Sequence, residues 1–351
     1  MPTETTTAPA QPASRPSFMD WLTQDPTVTM LGALIVLAVI FFSALAPSLF
    51  VSGETLRAMA FQMPELGILA LAMMIPLMSG GLNLAIIATA NLAALVMAAI
   101  LTKMIGPTSP PEAVAGVIAL ALVAGLLTAL VVGLITGAIV AFLGVHPILV
   151  TLGTMTAVKG IAVYATNGGV IGGFPPAILF LANGTLFGVP VSMIIFVLCA
   201  VIVAVIMSHT PFGVAVRMIG SNEKATRYSG VATDWMLVGV YVASSVLCWV
   251  AAVVMMARFN SARAGYAESY LLITILTAVL GGVDPNGGFG KVLGLFLALI
   301  LLQIIATGFN LLGFSSQLTQ AIWGATMILA IAIALLRERF MAHLWSRKTS
   351  E

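Results

Sequence analysis

Apolar runs of about 20 residues, each long enough to cross the roughly 30 Å hydrocarbon core of a bilayer, recur along this chain from residue 27 to residue 336. They fall at 27–46, 59–78, 84–102, 113–142, 148–165, 190–208, 236–257, 269–282, 291–312 and 317–336. The eighth is short, and the fourth is either long or broken. Only 7% of the 351 residues are charged, where a soluble domain carries about 25%. A water-soluble globule cannot cover itself with so little charge, so membrane lipid is the solvent. The fold expected is an all-α integral membrane protein of about ten transmembrane helices.

Basic residues orient the spans. With the N-terminus inside, Arg15, Arg217, Lys224, Arg227, Lys291, Arg337, Arg339, Arg347 and Lys348 all fall in the cytoplasm. Arg57, Lys103, Arg258 and Arg263 fall outside, and Lys159 lies within a span. That excess satisfies the positive-inside rule, and an even span count then puts both termini in the cytoplasm. Residues 1–24, rich in Thr, Pro and Ala, read as a disordered cytoplasmic tail. No basic n-region precedes the first apolar run, which is too long for a signal-peptide core and reads as an uncleaved span. Residues 25–340 form the membrane domain, and residues 341–351 form a cytoplasmic C-terminal tail.

Several function classes are excluded. A net charge of +2 gives no sign of nucleic-acid binding. The cysteines, Cys199 and Cys248, sit singly inside apolar runs, which offers neither a metal site nor a disulfide framework. His146, His209 and His343 are far apart, and no catalytic constellation appears. A phosphate-binding loop is also missing. The nearest run, Gly287-Gly288-Phe289-Gly290-Lys291, has Pro285 at the first glycine position and Val292 at the Ser/Thr position. If nucleotide is used, another chain binds it.

Small residues Ala121, Gly125, Ala129, Gly133, Gly137 and Ala141 recur every fourth position on the fourth span. Gly290, Gly294 and Ala298 repeat the spacing on the ninth. In lipid this allows close helix contact and is a packing signal. A polar loop follows the sixth span, from Thr210 to Gly230. Two short helices fit it, with Pro211 in the first turn of one, Asn222 capping the next, Gly220 joining them and Gly230 as the final stop. Such a pair suits a docking element for a cytoplasmic partner, and it equally suits an amphipathic interfacial loop.

That loop, Thr210-Pro211-Phe212-Gly213 followed by Ile219-Gly220-Ser221-Asn222-Glu223-Lys224-Ala225 and Gly230, resembles the coupling loop of the ribose-type sugar permeases of ATP-binding cassette (ABC) importers. Pro147 to Met155, Ala278 to Gly282 with Gly287, Gly288 and Gly290, and Asn310 to Gly313 are similar to other stretches of that family. The resemblance runs in order from about residue 58 to residue 334. One segment departs from it. Ser79-Gly80-Gly81-Leu82-Asn83-Leu84-Ala85 has Asn83 where the family carries an acidic residue and Ala85 where it carries serine. Related permeases for nucleosides and branched-chain amino acids have an Asn at a comparable place, so the substrate stays open.

The resemblance implies a permease subunit translocating a monosaccharide or similar polyhydroxylated solute across the bacterial inner membrane. It also implies cytoplasmic ABC ATPase subunits, a second permease copy or paralogue, and a periplasmic solute-binding protein. No cofactor is bound by this chain itself; ATP is used by the partner ATPase. The cytoplasmic coupling-helix loop lies between spans six and seven, carried by Gly213, Gly220, Asn222, Glu223, Ala225 and Gly230. The rivals are an ion-coupled secondary transporter and a membrane scaffold without transport. Ion coupling needs a carboxylate in mid-membrane, and Glu65 and Glu268 read as lying near outer span ends.

Polar side chains inside the bilayer are candidates for the solute path. Gln303, Thr307 and Asn310 share a face of the ninth span; Gln317, Gln320 and Trp323 open the tenth. Asn83, Asn91 and Lys159 complete the candidate path residues. Two roles are open to the amides, lining the path or hydrogen-bonding between helices; Lys159 either lines the path or snorkels to the headgroups. Gly80-Gly81 in one half and Gly281-Gly282 in the other form the Gly-interrupted pair expected of repeats around a midplane site.

Overall fold

A computed structural model describes residues 26–106, 110–315, 317–325 and 328. Helices dominate it: α1 (Pro26–Leu45), the short α2 (Pro47–Phe50), α3 (Gly53–Met78), α4 (Ile86–Met104), α5 (Pro111–Leu143) and α6 (Pro147–Thr166), then α7 (Pro176–Asn183), α8 (Val191–His209), α9 (Pro211–Tyr228), α10 (Thr233–Phe259), α11 (Tyr270–Leu280) and α12 (Val292–Leu311). Residues 317–325 are also helical. Two-residue strands β1 (Ile171–Gly172) and β4 (Ser261–Ala262) pair antiparallel, as do β2 (Thr185–Leu186) and β3 (Val189–Pro190).

Among the described residues eight helices are long and apolar enough to cross a membrane: α1, α3, α4, α5, α6, α8, α10 and α12. The expected eighth span corresponds to α11, an apolar helix of 11 residues. Half of the expected tenth span, and both tails, lie outside the described residues. The fourth span is a single unbroken helix of 33 residues, about 50 Å long at 1.5 Å per residue.

Burial sorts the bundle into centre and rim. Helices α3, α4 and α10 are mostly buried, whereas only about a fifth of α1, α5 and α6 is. The exposed side chains are large and apolar, Leu120, Val123, Leu127, Val131 and Leu134 on α5 for example, as a lipid-facing surface requires. The small residues of α5 face inward. A Cβ on Gly137 would lie 2.9 Å from the Val238 Cα of α10, and one on Gly133 would lie 2.6 Å from Ser245 Oγ. The fourfold stripe is thus the seam along which α5 meets α10.

Helices α3 and α11 end alike. Gly80 N–H donates to Leu77 O and Gly81 N–H to Pro76 O; Gly282 N–H donates to Val279 O and Val283 N–H to Ala278 O. Gly80 and Gly282 both have positive φ, 81° and 82°, the left-handed stop that glycine adopts without strain.

Candidate functional site

Helix α3 begins earlier than its apolar run. Ser52 caps it, its side chain accepting from Thr55 N–H at 3.2 Å, and so a polar first half precedes the apolar one. Thr55, Ala58 and Gln62 fall on one face of that half and line a cavity of about 480 Å³. Ser269 and Tyr270 at the start of α11, Thr307 and Asn310 at the end of α12, and Gln317, Thr319, Gln320 and Trp323 beyond it complete the polar lining. Hydroxyls, amides and one indole face this space, with no charged side chain among the described lining residues. Gln303 stands beside it, buried, donating to Gln62 Oε1 at 3.0 Å and Thr307 Oγ1 at 3.2 Å. The fold therefore brings Gln303, Thr307, Asn310 and Trp323 to one place.

The other candidate path residues lie elsewhere. Pro76 has no N–H to bond the Ala72 carbonyl within α3. Ser244 Oγ donates to that carbonyl at 2.7 Å, and Asn83 Nδ2 donates to Ser244 Oγ at 3.0 Å. Asn83 Oδ1 accepts from Ala85 N–H at 3.1 Å. Asn91 Nδ2 donates to the carbonyls of Ala264 and Tyr266 at 3.0 and 2.9 Å. Both amides tie helices and loops together. Lys159 pairs with Glu268 Oε1 at 2.7 Å, and each side chain is about half exposed.

Glu65 differs from its reading as a residue near a span end. Because α3 starts at Gly53, Glu65 sits midway along it and is 1% exposed. Its Oε1 accepts from Arg258 Nη1 and from the Tyr270 hydroxyl, each at 2.9 Å. A carboxylate does lie within the bundle, so its supposed absence cannot be used against an ion-coupled transporter. Thr55 went unrecognised, and Glu65 was placed near a span end, because the apolar run begins at residue 59 while the helix begins at Gly53. Gln62 and Tyr270 lie inside expected spans and were not singled out; the helical spacing of Thr55, Gln62 and Glu65 was the available signal.

At the opposite end of α3 lies α9. It is two helical pieces joined at Asn222, whose φ of −163° and ψ of 99° are extended. Thr210 caps the first piece, accepting from Gly213 N–H at 3.3 Å, and Asn222 Oδ1 caps the second through Ala225 N–H at 3.0 Å. Arg227 ties the second piece down by ion pairs to Glu223 at 3.2 Å and Asp234 at 2.6 Å. Gly230 follows with φ +85°. Ser221, Asn222, Glu223, Lys224 and Ala225 are exposed, and Ala225 lines an open groove with Val214, Met218 and Ser229.

Gly220 faces inward instead. A side chain there would run into Met78 O and Gly288 N, and a Cβ on Gly287 would lie 2.6 Å from Gly80 N and 2.8 Å from the Gly220 Cα. Three backbone segments, the end of α3, the middle of α9 and the turn before α12, meet at these glycines. The smallness of Gly220 thus serves the chain's own packing.

A lipid-embedded helical bundle with a neutral polar cavity at one end and an exposed kinked helix at the other defines a polytopic transport permease. Residues 55–331 match the family described as branched-chain amino acid transport system / permease component, and the chain belongs to that family. It is 31% identical over 307 residues, 86% of this chain and 89% of the relative, to the autoinducer 2 import system permease protein LsrD of Photorhabdus laumondii. The proteins of that name from Yersinia pseudotuberculosis and Yersinia pestis are similar to the same extent, 31% over 86% of this chain and 89% of each. No solved structure matches the chain. These relatives are permeases of import systems, so this is a multi-pass transport subunit and not an enzyme.

Proposed function

We propose that the chain is the permease subunit of a binding-protein-dependent ABC importer that carries a monosaccharide or similar neutral polyhydroxylated solute across the inner membrane. The cavity carries this reading. Its hydroxyls and amides can each donate or accept hydrogen bonds, and the Trp323 ring offers an apolar face; together they match an uncharged sugar. Two cytoplasmic ATPase subunits hydrolyse ATP, a periplasmic binding protein delivers the solute, and a second permease copy or paralogue completes the path. The chain crosses the membrane ten times with both termini in the cytoplasm. The cavity then faces the periplasm, and α9 faces the ATPase.

In this arrangement the exposed residues Ser221 to Ala225 dock the ATPase. The glycine junction carries its movement to α3 and α12, whose far ends wall the cavity. The relatives' names favour autoinducer 2 as one candidate solute. Membrane vesicles made leaky to protons and loaded with ATP test the energy source. Binding-protein-dependent uptake that survives the proton leak is the expected result, and uptake that collapses with it would favour ion coupling.

A further inference from the structure

Among the described residues Glu65 is a buried carboxylate with one oxygen left without a task. Its Oε1 holds Arg258 and Tyr270, but Oε2 is buried with no partner among the described residues. An orphaned carboxylate oxygen is expensive in any interior and more so within a bilayer. Pairing with Arg258 accounts for the charge of Glu65 and leaves the second oxygen unexplained.

Three observations set Glu65 beside the cavity, behind its lining and not part of it. Thr55 and Gln62 line the cavity, and Glu65 follows one turn deeper on the same face of α3. Tyr270, which donates to Oε1, is itself part of the lining. Below Glu65, from Leu66 to Met78, α3 is entirely apolar and buried, so Glu65 is the last polar group of this helix that a solute could meet. Trp323 Nε1, a donor on another wall, is likewise buried without a partner among the described residues.

We propose that Glu65 contacts the transported solute, its Oε2 accepting a hydrogen bond from a hydroxyl of a neutral polyhydroxylated molecule at the cavity base once the Tyr270 side chain moves aside. A hydroxyl both donates and accepts, so one molecule can serve Glu65 Oε2 and Trp323 Nε1 together. Arg258 stays paired throughout, which keeps the site neutral and disfavours charged solutes. The hydrogen bond to a carboxylate is charge-assisted and therefore discriminating. This inference rests on the permease reading above.

The test uses cells deleted for the chain's gene and complemented with it. They are incubated in a mixture of neutral pentoses, hexoses and their alditols, with loss from the medium read by mass spectrometry. The complemented wild type is expected to deplete at least one member. Glu65→Gln leaves Arg258 unpaired and is expected to reach the membrane poorly, so the deciding variant is Glu65→Gln/Arg258→Gln. It is expected at the membrane in wild-type amount, with uptake of the depleted sugar about tenfold down, the size of a lost hydrogen bond to a charged group. Normal uptake by that double variant overturns the proposal and makes the pair purely structural.

A second measurement needs no variant: modification of Glu65 by a water-soluble carbodiimide, read by peptide mass, is expected to fall when the imported sugar is present. Absence of modification, or modification indifferent to the sugar, also overturns it. If the wild type depletes nothing, the polyhydroxyl reading fails and this contact with it.

Discussion

The Gly288 N–H donates to the Met78 carbonyl at 2.9 Å, so the turn between α11 and α12 closes the end of α3, and Gly220 of α9 packs directly on that hydrogen bond. No Cβ fits there without moving backbone. Gly220→Ala is expected to destabilise the protein by about 1–3 kcal/mol, the usual range for overpacking. Uptake should fall further than the amount of protein in the membrane does. Comparing immunoblots with transport rates checks this; uptake that merely tracks protein amount would remove the junction from coupling.

Ala225 occupies the other side of the same helix. It is exposed and lines the open groove, so Ala225→Arg is expected to leave the fold and the membrane level unchanged. Stimulation of ATP hydrolysis by the loaded binding protein should be lost, because a long charged side chain then stands where the partner docks. Full stimulation in this variant would show that α9 is not the coupling element.

Orientation can be read with an impermeant thiol reagent in a background where Cys199 and Cys248 are alanine. Ser221→Cys is expected to be shielded in intact cells and to react once the membrane is opened. Asn183→Cys, at the end of α7 and exposed, should react in intact cells. The reverse pattern would invert the topology.

Asn83 and Asn310 look equivalent as intramembrane amides, and the structure separates them. Asn83→Leu removes the donor to Ser244 Oγ and the acceptor for Ala85 N–H. A loss of about 1–3 kcal/mol for orphaned buried groups, seen as lower expression and a lower melting temperature, is expected. Asn310→Leu changes only the cavity wall, so expression should stay normal while uptake drops several-fold. Equal effects of the two variants on expression would contradict this division.

Lys159→Ala breaks an ion pair whose two side chains are about half exposed. Screened pairs of this kind contribute at most about 1 kcal/mol. Uptake and membrane level within twofold of wild type are the expected outcome, and a tenfold loss of uptake at normal level would return Lys159 to the solute path.

The chain's membrane character, the order of its helices and the packing stripe on α5 were legible in the sequence, because each depends on local composition and spacing. A run of apolar residues needs lipid whatever surrounds it, and small residues every fourth position lie on one helix face by geometry alone. The shared face of Gln303, Thr307 and Asn310 was legible for the same reason. Tertiary structure decided the rest. Whether an amide lines a cavity or binds another helix depends on which distant carbonyl or hydroxyl stands opposite: Ser244 for Asn83, and the 264 and 266 carbonyls for Asn91. The place of Glu65 was hidden because a cap at Ser52, and not the hydropathy of the run, sets where α3 begins. Gly220 shows the same limit: its glycine answers to Met78 and Gly288, far away in the chain, and only the folded backbone brings them into contact.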